Sequence, residues 1–256
     1  MTEPAAIDLT VVLPAFNEEA SLPAAIDQCS ILIQDLIDWN VEVVVVDDGS
    51  HDGSERILKG LQRDSPWLRV KRHPTNQGYG AALRTGFAAS RGRYVFYSDA
   101  DNQFDLSELK EHIGLMEEFD LVVGFRIYRF DPLTRLVASW FYNRLVRLLF
   151  AVRVQDVDCS FKLMRRDRLE KLALASDDFF IDTEIVARAR KEHWRIREVG
   201  VRHFPRRAGS TTVRPSDVPR TLRRIATMWF QINFSERRRN ADPSTDEASP
   251  SGSRGS

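Results

Sequence analysis

Two carboxylates separated by one small residue, Asp99-Ala100-Asp101, directly follow a short apolar run. Side chains at this spacing can reach one hard cation together, and Mg²⁺ or Mn²⁺ suits such oxygen ligands and commonly bridges them to substrate phosphates. Gln103 lies two residues further on and could supply another oxygen. The segment therefore predicts a Mg²⁺ or Mn²⁺ site at Asp99, Asp101 and Gln103, and the alternative is a solvated turn with aspartate caps.

A second acidic segment, Asp47-Asp48-Gly49-Ser50, ends a β-branched apolar run. A carboxylate at a strand end can accept hydrogen bonds from ribose hydroxyls or a base N–H, and glycine permits tight turning and close ligand approach. The chain lacks both the G-x-G-x-x-G loop of dinucleotide-binding proteins and a Walker A sequence, which disfavours those two classes. Asp47 is therefore a candidate nucleoside ligand, although a polar turn with a helix cap would look similar.

The elements that must position these residues alternate along the first half of the chain. Strands are expected at Leu9–Pro14, Val41–Val46, Leu68–Arg72, Tyr94–Tyr97, Leu121–Val123 and Ile196–Val201. Helices are expected at Glu18–Ile37, Gly53–Leu61, Gly78–Ser90, Leu106–Met116, Pro132–Arg153, Phe180–Arg190 and Pro215–Glu236. This order predicts an α/β fold with a doubly wound, mostly parallel sheet. Ligands bind such sheets outside the carboxyl ends of the strands, where both acidic segments lie.

Four segments occur in one order that resembles the family 2 glycosyltransferases of GT-A fold. They are Val12-Leu13-Pro14-Ala15-Phe16-Asn17-Glu18-Glu19, the run from Asp47, Asn76-Gln77-Gly78-Tyr79-Gly80-Ala81-Ala82 and Asp99-Ala100-Asp101-Asn102-Gln103. The similarity is strongest to the branch that contains dolichol-phosphate mannose synthases and bacterial polyprenyl-phosphate glycosyltransferases, and it covers Leu9 to Arg214. The resemblance implies a Rossmann-like sheet, a nucleotide-sugar donor and a polyprenyl phosphate acceptor, with inversion at the sugar carbon.

The same resemblance assigns roles to individual residues. Pro14, Phe16 and Glu18 would line the nucleobase pocket, and Asp47 would hold the nucleoside. Asp99, Asp101 and Gln103 would bind the metal and the donor diphosphate. The alternative for Phe16 is packing into the core.

Three arginines match the family positions that hold the acceptor phosphate or donor diphosphate: Arg126, Arg135 and Arg206. Guanidinium suits phosphate because its donors bind two oxygens at once. A phosphate acceptor is already anionic near pH 7, so positioning and charge stabilisation could suffice without a strong base. Asp182 and Glu184 could orient groups near the site, or they could be acids placed in a first helical turn by the helix dipole.

Two rival functions follow from the same residues. A family 2 enzyme acting on a sugar hydroxyl would need a base, which would make Asp182 or Glu184 essential. A non-catalytic nucleotide-sugar-binding subunit is the rival from another class. The donor is open between UDP- and GDP-sugars, because Gly209-Ser210-Thr211-Thr212 lacks the lysine of the G-E-S-K sequence that mannose synthases often carry.

Two helices favour contact with a membrane. In Pro132–Arg153 the apolar and aromatic residues fall broadly on one side with arginines beside them, a pattern that fits either a headgroup region or a protein core. The helix of residues 215–236 is similar and could dock on the membrane or on a small membrane protein. The expected organisation is a catalytic domain at 1–214, this amphipathic helix at 215–236 and a disordered tail at 237–256.

Composition narrows the class and the compartment. The chain has 256 residues with 37 Lys and Arg against 37 Asp and Glu, so charge gives no indication of nucleic acid binding. Cys29 and Cys159 lack metal or disulfide spacing, which fits a reducing environment. Met1–Leu9 lacks signal-peptide features and no apolar run is long enough to cross a bilayer. We therefore expect a cytoplasmic protein that is peripheral on the cytoplasmic face of a membrane.

Overall fold

The computed structural model describes residues 6–128, 133–205 and 218–235. The chain forms two compact units, Met1–Thr211 and Thr212–Ser256. The second unit contains a helix at Val218–Phe230 that continues into one π-helical segment at Gln231–Ser235. Among the described residues, none of the helices is both long and apolar enough to cross a membrane. The predicted tail at 237–256 lies outside the described residues.

The first unit contains a seven-stranded sheet whose order is β3-β2-β1-β4-β6-β5-β7. Its strands are β1 (Leu9–Ala15), β2 (Val41–Asp47), β3 (Leu68–Arg72), β4 (Tyr94–Tyr97), β5 (Leu121–Arg126), β6 (Lys162–Arg165) and β7 (Ile196–Val201). β6 runs antiparallel to both of its neighbours, and the other pairs are parallel. The predicted mostly parallel α/β sheet is confirmed.

Helices surround this sheet. Within the described part of the first unit they are α1 (Leu22–Asp35), α2 (Ser54–Asp64), α3 (Tyr79–Ala89), α4 (Leu109–His112), α5 (Leu133–Phe150), α6 (Arg166–Leu169) and α7 (Ile181–Lys191). α4 lies between 3₁₀ turns at Leu106–Glu108 and Ile113–Glu117, where a single helix was predicted. Helix α8 is the Val218–Phe230 segment of the second unit.

Strand β6 was not predicted, and it determines what reaches the functional edge of the sheet. Because β6 runs opposite to β4 and β5, it begins near the edge of the sheet where those two strands end. Its first residue, Lys162, lies opposite Tyr97 of β4 and Val123 of β5. The segment 156–161, which precedes β6, therefore lies at the same edge as the residues that follow β1, β2 and β4. Residues from the first and the second half of the sequence therefore meet at this edge.

Small residues let α3 lie close to the sheet. β1 and β2 are buried at every position, as central strands covered on both faces are. A Cβ on Gly86 of α3 would lie 2.3 Å from Val12 Cγ1 and would force the helix away. This close packing fixes the start of α3 relative to the ends of β1 and β2.

A loop from the second half of the sequence covers the start of α3. The Asp177 carbonyl oxygen accepts hydrogen bonds from Gly80 N at 2.9 Å and Ala81 N at 3.3 Å, which satisfies amides that a helix start leaves unpaired. Gly78 has φ +103°, and a Cβ there would lie 2.2 Å from the same carbonyl oxygen. Only glycine fits this approach, so the two segments are matched in shape.

At the opposite end of β2, the buried Glu42 carboxylate ties three segments together. It accepts hydrogen bonds from Thr10 Oγ1 of β1 at 2.8 Å, Arg69 Nη1 of β3 at 2.8 Å and the Arg91 backbone N at 2.8 Å. Burial alone would raise the pKa of Glu42, but the hydrogen bonds from Arg91, Arg69 and Thr10 outweigh burial and lower this pKa. The carboxylate is therefore stabilised in its charged form.

We predict that Glu42→Gln lowers the free energy of unfolding by about 2 kcal/mol at pH 7, because charge-assisted hydrogen bonds are lost. A carboxyl whose folded pKa is depressed stabilises the fold above its unfolded pKa of about 4.3, and this contribution is lost as pH falls through the folded pKa. The difference should therefore shrink below about pH 4. Chemical denaturation at several pH values tests this, with the exposed Glu118→Gln as control; a difference independent of pH would contradict it.

Candidate active site

The loop after β4 holds the two carboxylates that were predicted to bind a cation. Asp99 Oδ2 accepts a hydrogen bond from Ser160 Oγ at 2.6 Å, and Asp101 Oδ1 accepts one from the Gln103 backbone N at 3.1 Å. Asp101 is buried. Ser160 comes from the segment before β6, so the antiparallel strand helps to orient this candidate metal loop.

Crowding of negative charge marks this loop electrostatically. Burial raises the pKa of Asp99 to about 7, and the neighbouring charge of Asp101 adds to the rise. A divalent cation would offset both effects. The described residues offer no group of three or more His, Cys, Asp or Glu side chains arranged around a metal. Two carboxylates and an amide therefore fit a cation whose remaining ligands come from a diphosphate or water.

Gln103 also joins this loop to the end of β7. Its Nε2 donates to the Phe204 carbonyl oxygen at 3.0 Å, and the Phe204 backbone N donates to the Gln103 carbonyl oxygen at 2.8 Å. Phe204 stands two residues before Arg206, which lies outside the described residues. The candidate metal loop is thus connected directly to the segment that leads to a predicted phosphate ligand.

The loops after β1 and β2 are joined by hydrogen bonds. Asn17, with φ +56°, accepts from the His51 backbone N through Oδ1 at 2.9 Å, and the Glu18 backbone N donates to Ser54 Oγ at 3.1 Å. Phe16 is 40% exposed and meets His51 edge-to-face at 6.3 Å, so the alternative of core packing is wrong for it. Pro14 is buried within β1, next to these loops.

Adjacent aspartates after β2 have different environments. Asp47 Oδ1 accepts from the Ser50 backbone N at 2.9 Å, whereas its buried Oδ2 has no hydrogen-bond partner among the described residues and lies 3.5 Å from Arg72 Nε. Asp47 thus retains an oxygen that could accept from a nucleoside.

Asp48, in contrast, organises the protein. Its carboxylate accepts from the Gln77 and Gly78 backbone N atoms at 2.9 and 2.8 Å, and its Oδ1 lies 2.6 Å from His73 Nδ1. The sequence analysis missed the role of Asp48 and His73 in holding the loop that contains Gln77 and Gly78. The pair of adjacent aspartates was the available signal, because binding a nucleoside would require only one of the two carboxylates.

Asp182, one of the two candidate bases, is a buried ion-pair partner. Its Oδ1 accepts from Tyr97 Oη at 2.5 Å and forms a salt bridge with Lys162, which is fully buried. Lys162 Nζ also donates to the Cys159 carbonyl oxygen at 2.6 Å. Together with Tyr97, the pair joins β4, β6 and α7 beneath the candidate metal loop.

Glu184, the second candidate base, is equally engaged. It accepts from the backbone N atoms of Ala175 and Ser176 at 3.0 and 2.8 Å and from Arg188 Nε at 2.8 Å. It thereby holds the loop that covers the start of α3. The sequence left Glu184 either to orient groups near the site or to be an acid in a first helical turn. Its contacts fit the second alternative.

Of the three predicted arginines, Arg126 is the one whose side chain the structure describes. Arg126 binds Asp156 through both Nε and Nη2, at 2.6 and 2.7 Å. Burial alone would lower the pKa of Arg126, but the hydrogen bonds and charge of Asp156 outweigh burial and raise it. Arg135 lies in α5, where the structure does not describe its side chain, and Arg206 lies outside the described residues. Asp156 thus fixes the Arg126 guanidinium at the site edge.

The sequence model described as Glycosyl transferase family 2 matches residues 10–173. The chain belongs to this family. It is 30% identical to glycosyltransferase AglD of Haloferax volcanii, over 91% of this chain and 39% of that protein. It is 28% identical to dodecaprenyl-phosphate galacturonate synthase of Rhizobium johnstonii, over 90% of this chain and 69% of that protein. For dolichyl-phosphate beta-glucosyltransferase of Drosophila melanogaster the identity is 29%, over 77% of this chain and 67% of that protein.

Solved structures agree with the family. The chain matches glucosyl-3-phosphoglycerate synthase from Mycobacterium tuberculosis, in complex with Mn²⁺, UDP and glucosyl-3-phosphoglycerate, with a TM-score of 0.64 at 25% identity. This match covers 88% of this chain and 80% of the other. S. aureus TarS with UDP-GlcNAc matches with a TM-score of 0.61 over 91% of this chain and 70% of the other, at 20% identity. The predicted GT-A fold is confirmed. The chain spans 39% to 69% of the length of the three curated relatives named above.

We predict that Asp182→Ala lowers the free energy of unfolding by about 3 kcal/mol, because Lys162 would remain buried without its partner. Adding Lys162→Met should restore part of this loss, since the double variant no longer buries an unpaired charge. Chemical denaturation of the two single variants and the double variant measures the coupling. If Asp182→Ala kept wild-type stability while losing all sugar transfer, Asp182 would be a base and the structural role would be wrong.

Proposed function

We propose that this family 2 protein transfers a sugar from a UDP- or GDP-sugar to a polyprenyl phosphate, with Mg²⁺ or Mn²⁺ as cofactor. The observation that carries the proposal is that Asp182 and Glu184 are both buried and occupied by other partners. A sugar hydroxyl must lose a proton to become a strong nucleophile, whereas a phosphate oxygen is already ionised near pH 7. The names of two relatives, a dodecaprenyl-phosphate and a dolichyl-phosphate enzyme, point to the same acceptor class.

The proposed reaction is a single displacement. An oxygen of the polyprenyl phosphate attacks the sugar carbon C1, the bond from C1 to the diphosphate oxygen breaks, and the nucleoside diphosphate leaves with the electron pair. No proton is transferred, and the configuration at C1 inverts. A cation held by Asp99, Asp101 and Gln103 would supply positive charge to the leaving diphosphate.

This chain's own residues would bind and orient the two substrates. Asp47, whose buried Oδ2 has no hydrogen-bond partner among the described residues, would accept from the nucleoside, and the exposed Phe16 ring would border the base together with Pro14 and Glu18. Arg126, oriented by Asp156, would hold the acceptor phosphate. We assign Arg135 and Arg206 the same role from their family positions. Charge stabilisation by fixed guanidinium groups needs no rearrangement during the reaction.

Helix α5 would place the acceptor site against a lipid surface. Val137, Trp140, Phe141 and Leu148 are each roughly half exposed or more, and their spacing puts them on one side of the helix with Arg144. Exposed aromatic and aliphatic side chains flanked by arginine suit the headgroup region. A polyprenyl phosphate is anchored in that layer, so we place the protein peripherally on the cytoplasmic face of a membrane, with or without a small membrane protein partner.

We predict that Asp101→Asn lowers sugar transfer by about 100-fold or more, because the cation loses a charged ligand. Purified protein is incubated with undecaprenyl phosphate, Mn²⁺ and a panel of UDP- and GDP-sugars, and the lipid phase is analysed by mass spectrometry. Asp64→Asn, an exposed change in α2, should behave as wild type. Binding of UDP or GDP should become insensitive to Mn²⁺ only in the Asp101 variant. Sugar transferred to a hydroxyl and never to the lipid would contradict the proposal.

Membrane contact gives a separate prediction. Trp140→Ser with Phe141→Ser should weaken binding to vesicles that contain anionic lipid by about tenfold or more, since two apolar side chains no longer leave water. Ile31→Ser with Ile37→Ser, two exposed apolar residues in and just after α1, should leave binding unchanged. Co-sedimentation with vesicles measures the bound fraction. Equal loss in both double variants would mean that general hydrophobicity, and not α5, controls binding.

A further inference from the structure

A polar cluster lies behind the candidate metal loop, between the end of β4, the start of β6 and the start of α7. It contains the buried Lys162–Asp182 pair, Tyr97, whose ring lies 5.3 Å from Lys162 Nζ, and Asp158. Ser160, two residues after Asp158, donates a hydrogen bond to Asp99 Oδ2 at 2.6 Å, so the cluster adjoins this candidate metal ligand. The mechanism proposed above does not use Asp158.

One buried polar atom here is unsatisfied by protein. Asp158 Oδ1 is buried and has no hydrogen-bond partner among the described residues. The buried Tyr79 hydroxyl lies beside Asp99, and burial together with the charges of Asp99 and Asp182 raises its pKa. Buried polar atoms in native proteins almost always have a partner, so Asp158 Oδ1 indicates where a hydroxyl group of a ligand would bind. A buried acceptor oxygen near the candidate metal ligand Asp99 suits a sugar.

Charges around Asp158 are unbalanced toward negative. Lys162 is paired with Asp182 and Arg126 binds Asp156 through two nitrogens. These two cations are the nearby positive charges that act on Asp158, and each already has a carboxylate partner. The negative charge of Asp99 would be balanced by the bound cation. Asp158 is therefore the carboxylate of this cluster whose charge is not offset by a dedicated cation among the described residues.

We propose that this cluster is the donor-sugar subsite and that it selects an uncharged sugar over a uronate. The inference rests on the proposed function, since a sugar bonded to a diphosphate at Asp99 and Asp101 must lie next to that loop. A sugar hydroxyl can donate to Asp158 Oδ1. A uronate carboxylate would instead place a second negative charge beside it, where both cations are already engaged, and like charges in a buried site repel strongly. The donor would thus be a neutral hexose, unlike that of the galacturonate relative.

The test compares donors that differ in one group. UDP-glucose and UDP-glucuronate differ only at C6, a primary alcohol in one and a carboxylate in the other; GDP-mannose and GDP-mannuronate are the equivalent pair. Each is titrated by calorimetry into the purified chain with Mn²⁺ and without acceptor. The measurements are made at pH 8, because burial raises the pKa of Asp158 to about 7 and the charged form must dominate. We expect the neutral sugar to bind at least about tenfold more tightly.

Asp158→Asn should reduce that ratio, because an amide of the same shape no longer repels a carboxylate. Asp64→Asn should leave the ratio at the wild-type value. A uronate that binds wild type as tightly as the neutral sugar would overturn the proposal, and this result does not depend on how the variant folds. An unchanged ratio in a folded Asp158→Asn protein would also overturn it. Loss of turnover at saturating donor, with donor binding and the ratio unchanged, would make Asp158 a base instead.

Binding and transfer separate the two proposals. A neutral-sugar preference in binding, together with no lipid product, would support the subsite and contradict the polyprenyl phosphate acceptor. A lipid product formed equally well from neutral and acidic donors would support the acceptor and contradict the subsite. Absence of binding by any of the four nucleotide sugars, with UDP or GDP itself bound, would contradict the sugar subsite directly.

Discussion

The ion pair between Lys162 and Asp182 is the interaction on which the site depends. It places a full positive charge in a fully buried position, which is tolerable only with a carboxylate in contact and the Cys159 carbonyl as a further acceptor. Through it, the first residue of an antiparallel strand is held against the first turn of α7 and against Tyr97 at the end of β4. Ser160, two residues earlier, then reaches Asp99. The position of the candidate metal loop is thus determined from behind, by a pair whose two charged groups are bonded to each other.

The acidic residues at this edge of the sheet fall into two groups, according to whether their carboxylate oxygens accept hydrogen bonds from the protein. Asp48, Asp156, Asp182 and Glu184 each accept several protein donors and hold segments of the chain in place. Asp47 and Asp158 each keep a buried oxygen without a hydrogen-bond partner, while Asp99 and Asp101 crowd each other. This distribution is what a site for a cation and a polar ligand requires, because fully satisfied carboxylates have nothing left to bind with.

The sequence predicted the parts of the structure that short-range patterns encode. Apolar runs gave the parallel strands, and the position of Asp99 and Asp101 after one of them gave the candidate metal loop. Strand β6 was missed because it has four residues, begins with a charged one and is antiparallel in a sheet that is otherwise parallel. The roles of Asp182 and Glu184 could not be predicted, since Tyr97 is 85 positions from Asp182 and the amides bound by Glu184 belong to an irregular loop. The exposure of the Phe16 ring likewise could not be predicted, because it depends on tertiary packing and not on the neighbouring sequence.

The loop that covers α3 has a consequence for where this domain can be divided. The family match ends at residue 173, yet the Asp177 carbonyl that satisfies the first amides of α3, and the glutamate that holds its loop, come afterwards. A fragment cut at the family boundary would leave a helix start uncapped, expose the close-fitting glycines and remove the partner of the buried lysine. The stretch that matches the family is therefore shorter than the cooperative folding unit, and the chain must be synthesised well past residue 173 before the matched part can become stable.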